Sequence, residues 1–160
     1  MKLCQQYAVY NRQVIADKIK AFLNVDKPED EWECMHNYID DENMVRKGAI
    51  AAHKGQKVII PLNMRDGSIL GVGKGNPDWN ESGPHGAGRL LSRGEAKRVL
   101  DVDDFKKSME GIYTTTVNES TLDESPVVYK PAQEIIDAIG DTVEITHIIR
   151  PIYNFKAGEE

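Results

Sequence analysis

Cysteine is scarce. Cys4 and Cys34 are the only two in 160 residues. That is too few for a disulfide framework and fits a reducing, cytoplasmic setting. No apolar run approaches the length of a membrane span, and the N-terminus carries no signal-peptide pattern. Positive charge is also short: 20 basic against 26 acidic residues leave a net charge of −6. A chain that is acidic overall is no generic polyanion binder. Any nucleic-acid contact has to come from a local patch, for which Arg89, Arg93, Lys97, Arg98, Lys106 and Lys107 are the candidates. Internal repeats, low-complexity segments and a dividing linker are all absent. The 160 residues therefore read as a single domain long enough to bury a core. The glycines at 71, 73 and 75 are not followed by the G-K-[ST] that a P-loop needs, and they read as a loop too glycine-rich for a regular strand.

What the sequence does have is concentrated in Ser82–Arg98, S-G-P-H-G-A-G-R-L-L-S-R-G-E-A-K-R. His85 sits among Gly83, Gly86 and Gly88, and a helical pattern spans Gly88–Leu100. Glycines let backbone N–H groups approach a ligand closely. A helix N-terminus attracts anions, and arginines clamp phosphate oxygens in a fork. A neutral imidazole placed there can attack phosphorus. The motif therefore reads as a phosphate site with a histidine nucleophile, or as a glycine turn before a solvated basic helix; spacing leaves both open.

Around this stretch the pattern is mixed. Lys2–Val25 reads as an amphipathic helix whose Leu3, Tyr7, Val14, Ile15, Ile19, Phe22 and Leu23 would pack on the rest of the protein. Trp32–Ile39 reads as a strand that puts Cys34, His36 and Tyr38 on one face. A Cys–His pair there could ligate a metal or simply line a core edge. Val45–His53, Lys57–Leu62 and Ser68–Val72 read as strands in antiparallel hairpins. Asp101 or Asp103 can cap a short helix through Met109. Ile112–Val117 reads as a strand, Asn118–Ser125 as a polar loop, and Pro131 starts a helix through Ala138. Thr142–Phe155 reads as a last strand broken at Pro151. Together these give an α+β fold with a mixed, largely antiparallel sheet and flanking helices.

C-M-H-N-Y-I, V-R-K-G-A-I, V-I-I-P-x-x-M, H-G-A-G-R-x-x-S-R-x-x-A, D-E-S-P-V-V-Y-K and H-I-I-R-P-I-x-x-x-K occur in that order. As an ordered set they resemble the C-terminal part of the RtcB family of RNA-splicing ligases, and Q-Q-Y-A-V-Y-N-R resembles that family's helix before the histidine strand. The resemblance implies an RNA ligase, dependent on GTP and manganese (Mn2+), that joins an RNA 3′-phosphate or 2′,3′-cyclic phosphate to a 5′-hydroxyl. It implies that His85 carries the guanylate and that His36 is a metal ligand. It further implies that Ser68, Ala87, Gly88, Tyr129 and Lys156 contact the nucleotide, with Arg89 as a phosphate contact. Asn63 stands where the family has a nucleotide-contacting serine, Leu62 replaces a glycine, and Pro84 stiffens the turn before His85. Cys34 matches no metal role and returns to core packing. The family's aspartate–cysteine metal motif and two further metal-ligating histidines belong to its N-terminal part and lie outside these 160 residues. Two other readings follow: a non-catalytic nucleotide- or RNA-binding module, or one subunit of a split ligase whose second chain supplies the missing ligands. A homodimer covering an exposed apolar surface is a further expectation.

Overall fold

The computed structural model describes residues 1–155, so Lys156 lies outside the described residues. In chain order the elements are α1 (Lys2–Leu23), β1 (Tyr38–Ile39), β2 (Val45–Arg46), β3 (Ala49–Ala51), β4 (Lys57–Asn63), β5 (Gly67–Gly73), β6 (Ser82–Pro84), α2 (Arg93–Val99), α3 (Val102–Ser108), β7 (Tyr113–Thr114), α4 (Ala132–Ala138), β8 (Val143–Ile149) and β9 (Tyr153–Asn154). The three longest strands form one antiparallel sheet in the order β4-β5-β8. Short antiparallel pairs β1-β2 and β3-β6 and one parallel pair, β7-β9, complete the α+β architecture.

The sheet follows from period-two patterning. In β4, Val58, Ile60 and Leu62 are buried while Lys57 and Pro61 face out. They join Ile50, Ile69, Val143, Ile135 and Ile139 in the main core. Pro61 is tolerated because β4 is an edge strand and the register shifts beside it. A second cluster, Met64, Phe105, Met109 and Leu122, closes the α3 side.

Gly71 and Gly73, expected in a loop, instead continue β5 on its buried face. A methyl at Gly71 would crowd Val143 and the Glu144 carbonyl, and one at Gly73 would meet the Ala52 backbone. Here the missing side chain admits a neighbour rather than ending the strand. The expected strand at Trp32–Ile39 shrinks to Tyr38–Ile39, because Asn37 adopts a left-handed conformation at φ 55. The strand read at Val45–His53 divides at Gly48, with φ 73. Ile112–Val117 keeps only Tyr113–Thr114, and Asn118–Ser125 contains a 3-10 helix (Glu119–Glu124) under an Asn118–Thr121 capping box. The helical pattern at Gly88–Leu100 starts only at Arg93, where Ser92 accepts the Glu95 N–H. His85 therefore does not stand at a helix N-terminus.

The largest departure is α1. None of its residues is buried, and Leu3, Tyr7, Val14, Ile15, Ile19, Phe22 and Leu23 are all exposed. Polar contacts attach it instead. The Gln5 amide exchanges hydrogen bonds with the Ile39 backbone, Arg12 pairs with Glu33, and Lys20 pairs with Glu31. Among the described residues no helix is long and apolar enough to cross a membrane.

Gly67 shows how tightly the sheet is closed. It has φ 82, and a Cβ there would fall on the Ile149 carbonyl of β8. Gly67→Ala should lower stability by at least about 1–3 kcal/mol from the backbone conformation alone. Urea denaturation checks this, and an unchanged midpoint would remove the constraint.

Candidate active site

A cleft of about 760 Å³ opens between the ends of β4 and β5, the loop after β6 and the segment after β8. That volume lies within the range of about 300–1,000 Å³ typical of small-molecule sites. It brings together His36, Asn63, Ser68, His85, Gly88, Arg89 and Tyr129, seven residues picked from the sequence. Ala87 is not among the lining residues. Its side chain is buried in the main core, and its N–H donates to the Pro61 carbonyl at 3.0 Å. That bond fastens the histidine loop to the rim of β4. Gly86 makes the approach possible, since a Cβ there would come within 3.1 Å of the same carbonyl.

Gly48 fastens the two histidine segments to each other. Its N–H donates to the Asn37 side chain at 3.1 Å, and its carbonyl accepts the His85 N–H at 3.5 Å. The His36 and His85 rings meet edge to face with centroids 5.9 Å apart. Burial, with the nearby His85 and Arg12, pulls the His36 pKa below its ordinary value and favours the neutral ring. No hydrogen bond among the described residues reaches the His85 ring, which is half-buried and lines the cleft. Its nitrogens are available to a substrate.

The opposite wall is a closed polar network. Arg89 donates to the Asp123 carbonyl at 2.7 Å, to Glu124 at 2.9 Å and to the Tyr129 hydroxyl at 3.0 Å. Tyr129 donates to the other Glu124 oxygen at 2.9 Å, and the Arg89 guanidinium stacks over the Tyr129 ring at 4.9 Å. Burial and the Glu124 carboxylate push the Tyr129 hydroxyl up to about 12, so it stays a donor. Arg89, read as a phosphate contact, is thus largely engaged within the protein.

The basic patch is engaged as well. Arg93 and Lys97 lie 3.6 and 3.7 Å from the buried Asp123 carboxylate, Lys106 and Lys107 pair with Asp103 and Asp104, and Arg98 donates to the Gly94 carbonyl. Asn63 turns its amide to its own turn. Its oxygen accepts from the Arg65 and Asp66 N–H groups, and its nitrogen donates to Asp66. Ser68 sits where β5 pairs with both Pro61 and Ile149.

Glu124, Arg150 and Asn154 also line the cleft and carried no role in the sequence reading. Glu124 and Arg150 lie in D-E-S-P-V-V-Y-K and H-I-I-R-P-I, where their charge was the available signal. A metal fits less well. Among the described residues no group of three His, Cys, Asp or Glu side chains is placed to hold an ion. His36 contributes one donor and Cys34 packs on the core.

The site therefore sets an available imidazole beside a glycine turn, facing a cleft of small-molecule size. The family model described as tRNA-splicing ligase RtcB matches residues 1–157, and the chain belongs to the RtcB family. It is 31% identical to the RNA-splicing ligase RtcB of Escherichia coli K12 over 95% of this chain and 41% of that protein. It is 37% identical to the tRNA-splicing ligase RtcB of Aeropyrum pernix over 51% of this chain and 18% of that protein. The corresponding protein of Archaeoglobus fulgidus is 36% identical over 53% of the chain and 19% of its own length. The chain thus spans 41% of the length of that Escherichia coli protein and less of the two archaeal ones.

The His36 environment sets a sign for pH. The unfolded imidazole takes its proton near 6.5, the folded one only at lower pH. The unfolded state therefore binds more protons in that window, and stability falls as pH drops through 6.5. NMR titration should find His36 below 6.5, rising in His85→Ala yet remaining depressed, because burial is the larger cause. A His36 titration at or above 6.5 would contradict this environment.

Proposed function

We propose that this chain carries the guanylate-accepting half of a GTP-dependent RNA ligase that joins an RNA 3′-phosphate to a 5′-hydroxyl. The observation that carries the reading is His85, which lines the cleft and whose ring takes part in no hydrogen bond among the described residues. A nucleotide is a co-substrate here. A His85 nitrogen attacks the α-phosphorus of GTP, a P–N bond forms, the P–O bond to pyrophosphate breaks, and the imidazole returns to neutrality by losing its other proton. An RNA 3′-phosphate oxygen then takes the guanylate and the P–N bond breaks. The RNA 5′-hydroxyl finally attacks the 3′-phosphorus, loses its proton, and GMP leaves. A 2′,3′-cyclic phosphate enters after water opens it. Linking the 3′-phosphate to GMP turns a poor electrophile into one with a good leaving group. The attacking nitrogen of His85 must carry a free lone pair. Ser68, Gly88, Tyr129 and Asn63 lie around the space the nucleotide would fill, and Lys156 belongs to the same reading from sequence. tRNA splicing and RNA repair both use these ends, and the free thiols at Cys4 and Cys34 suit a cytoplasmic setting.

Manganese is part of the family expectation, but the described residues do not complete a site for it, and no step here is routed through it. His36 is the donor this chain would contribute. That favours a second reading, a split ligase in which another chain supplies the remaining ligands. The uncovered apolar residues of α1 are where such a chain, or a second copy, gains most by docking.

Incubation with α-labelled GTP and manganese, followed by a denaturing gel, should give an acid-labile adduct that His85→Ala abolishes. Labelling retained in His85→Ala would remove His85 from the role. If the chain alone gives no adduct, activity depends on a partner. Sedimentation at rising concentration should show self-association that Tyr7→Glu with Val14→Glu reverses; a clean monomer at high concentration would sink the homodimer.

A further inference from the structure

The charge balance of the cleft assigns a role to a residue outside the sequence reading. Among its described lining residues the charged side chains, histidines aside, are Arg89, Glu124 and Arg150. Arg89 and Glu124 neutralise each other at 2.9 Å, and Arg89 spends three of a guanidinium's five N–H donors inside the protein. Arg150 differs. It is exposed, and among the described residues no hydrogen bond or ion pair reaches its guanidinium; its charge helps hold the Asp66 carboxyl below the usual carboxylate range.

Its backbone, by contrast, is held. Arg150 directly follows β8, whose last residue, Ile149, pairs with Ser68. The glycine at position 67 lets the β4–β5 turn close against the backbone of Ile149 and Arg150. Pro151 restricts residue 150 to extended conformations and ends the strand. The result is a fixed stem with an uncommitted forked cation at its end.

We propose that Arg150 is the residue that binds a phosphate group in this cleft, either of the nucleotide or of an RNA 3′ end. The assignment rests on the nucleotide-and-RNA reading of the site. It deepens that reading by moving the phosphate contact from Arg89, which holds the wall together, to Arg150. A planar guanidinium with its donors free matches phosphate oxygens in pairs.

Calorimetry on the whole chain in EDTA tests this with four ligands: GTP, guanosine, and one short RNA ending in either a 3′-phosphate or a 3′-hydroxyl. Arg150→Gln should weaken the phosphorylated ligand of the relevant pair about tenfold or more, the loss of a charge-assisted hydrogen bond. It should change its unphosphorylated counterpart less than twofold. The affected pair, nucleotide or RNA, identifies the source of the phosphate, and Arg150→Lys should restore part of the loss. If wild type prefers the phosphorylated ligands and Arg150→Gln keeps that preference, the Arg150 assignment is overturned while the site reading stands. If wild type binds none of the four, the site reading fails and takes the assignment with it.

Discussion

The hydrogen bond from the Ala87 N–H to the Pro61 carbonyl is the joint on which the site depends. Pro61 stands on an edge strand, and the loop comes close enough to it that a Cβ on Gly86 would lie 3.1 Å from the same carbonyl. A buried methyl at Ala87 anchors the far side in the core. The loop is thus held from both sides, and His85 is set beside the cleft at the ends of β4 and β5. Gly48 then carries the constraint onward to the His36 segment through both of its peptide groups.

Electrostatics divide the cleft into a finished wall and an open one. Asp123 is buried, and a buried carboxylate is costly unless paired. Arg89, Arg93 and Lys97 gather on it, at 4.0, 3.6 and 3.7 Å. Arg89 also ties Glu124 and Tyr129 into a network in which each polar group has a partner. Such a network positions Tyr129 rigidly and keeps its hydroxyl protonated. The histidine side and the Arg150 side are left with donors and acceptors to spare, which is where a ligand gains most.

The same contrast appears on a larger scale. The sheet and its two core clusters are closed, whereas a 22-residue helix is attached by amide and ion-pair contacts and buries none of its residues. Exposed ion pairs contribute little each, so α1 is the weakest-held long element. Leu3, Tyr7, Tyr10 and Val14 recur at spacings that place them on one face, opposite Gln5, Ala8 and Arg12. That face is apolar and is left uncovered by the rest of the chain.

Some of this was determined by the sequence itself, through short-range rules. Alternation places Val58, Ile60 and Leu62 inward, Ser92 and Asp101 cap the helices that follow them, and glycines flank His85 wherever the chain goes next. The ordered motifs carried the family and most of the cleft residues. What tertiary structure alone decided are facts about neighbours distant in sequence. Gly71 and Gly73 continue a strand because Val143 and Ala52 need the room. Ala87 turns to the core rather than to the cleft. Arg89 is engaged by residues 34 to 40 positions away, while Arg150 stays free. Local propensity is written residue by residue, but whether a charge is free or a glycine is crowded depends on which segments the fold brings together.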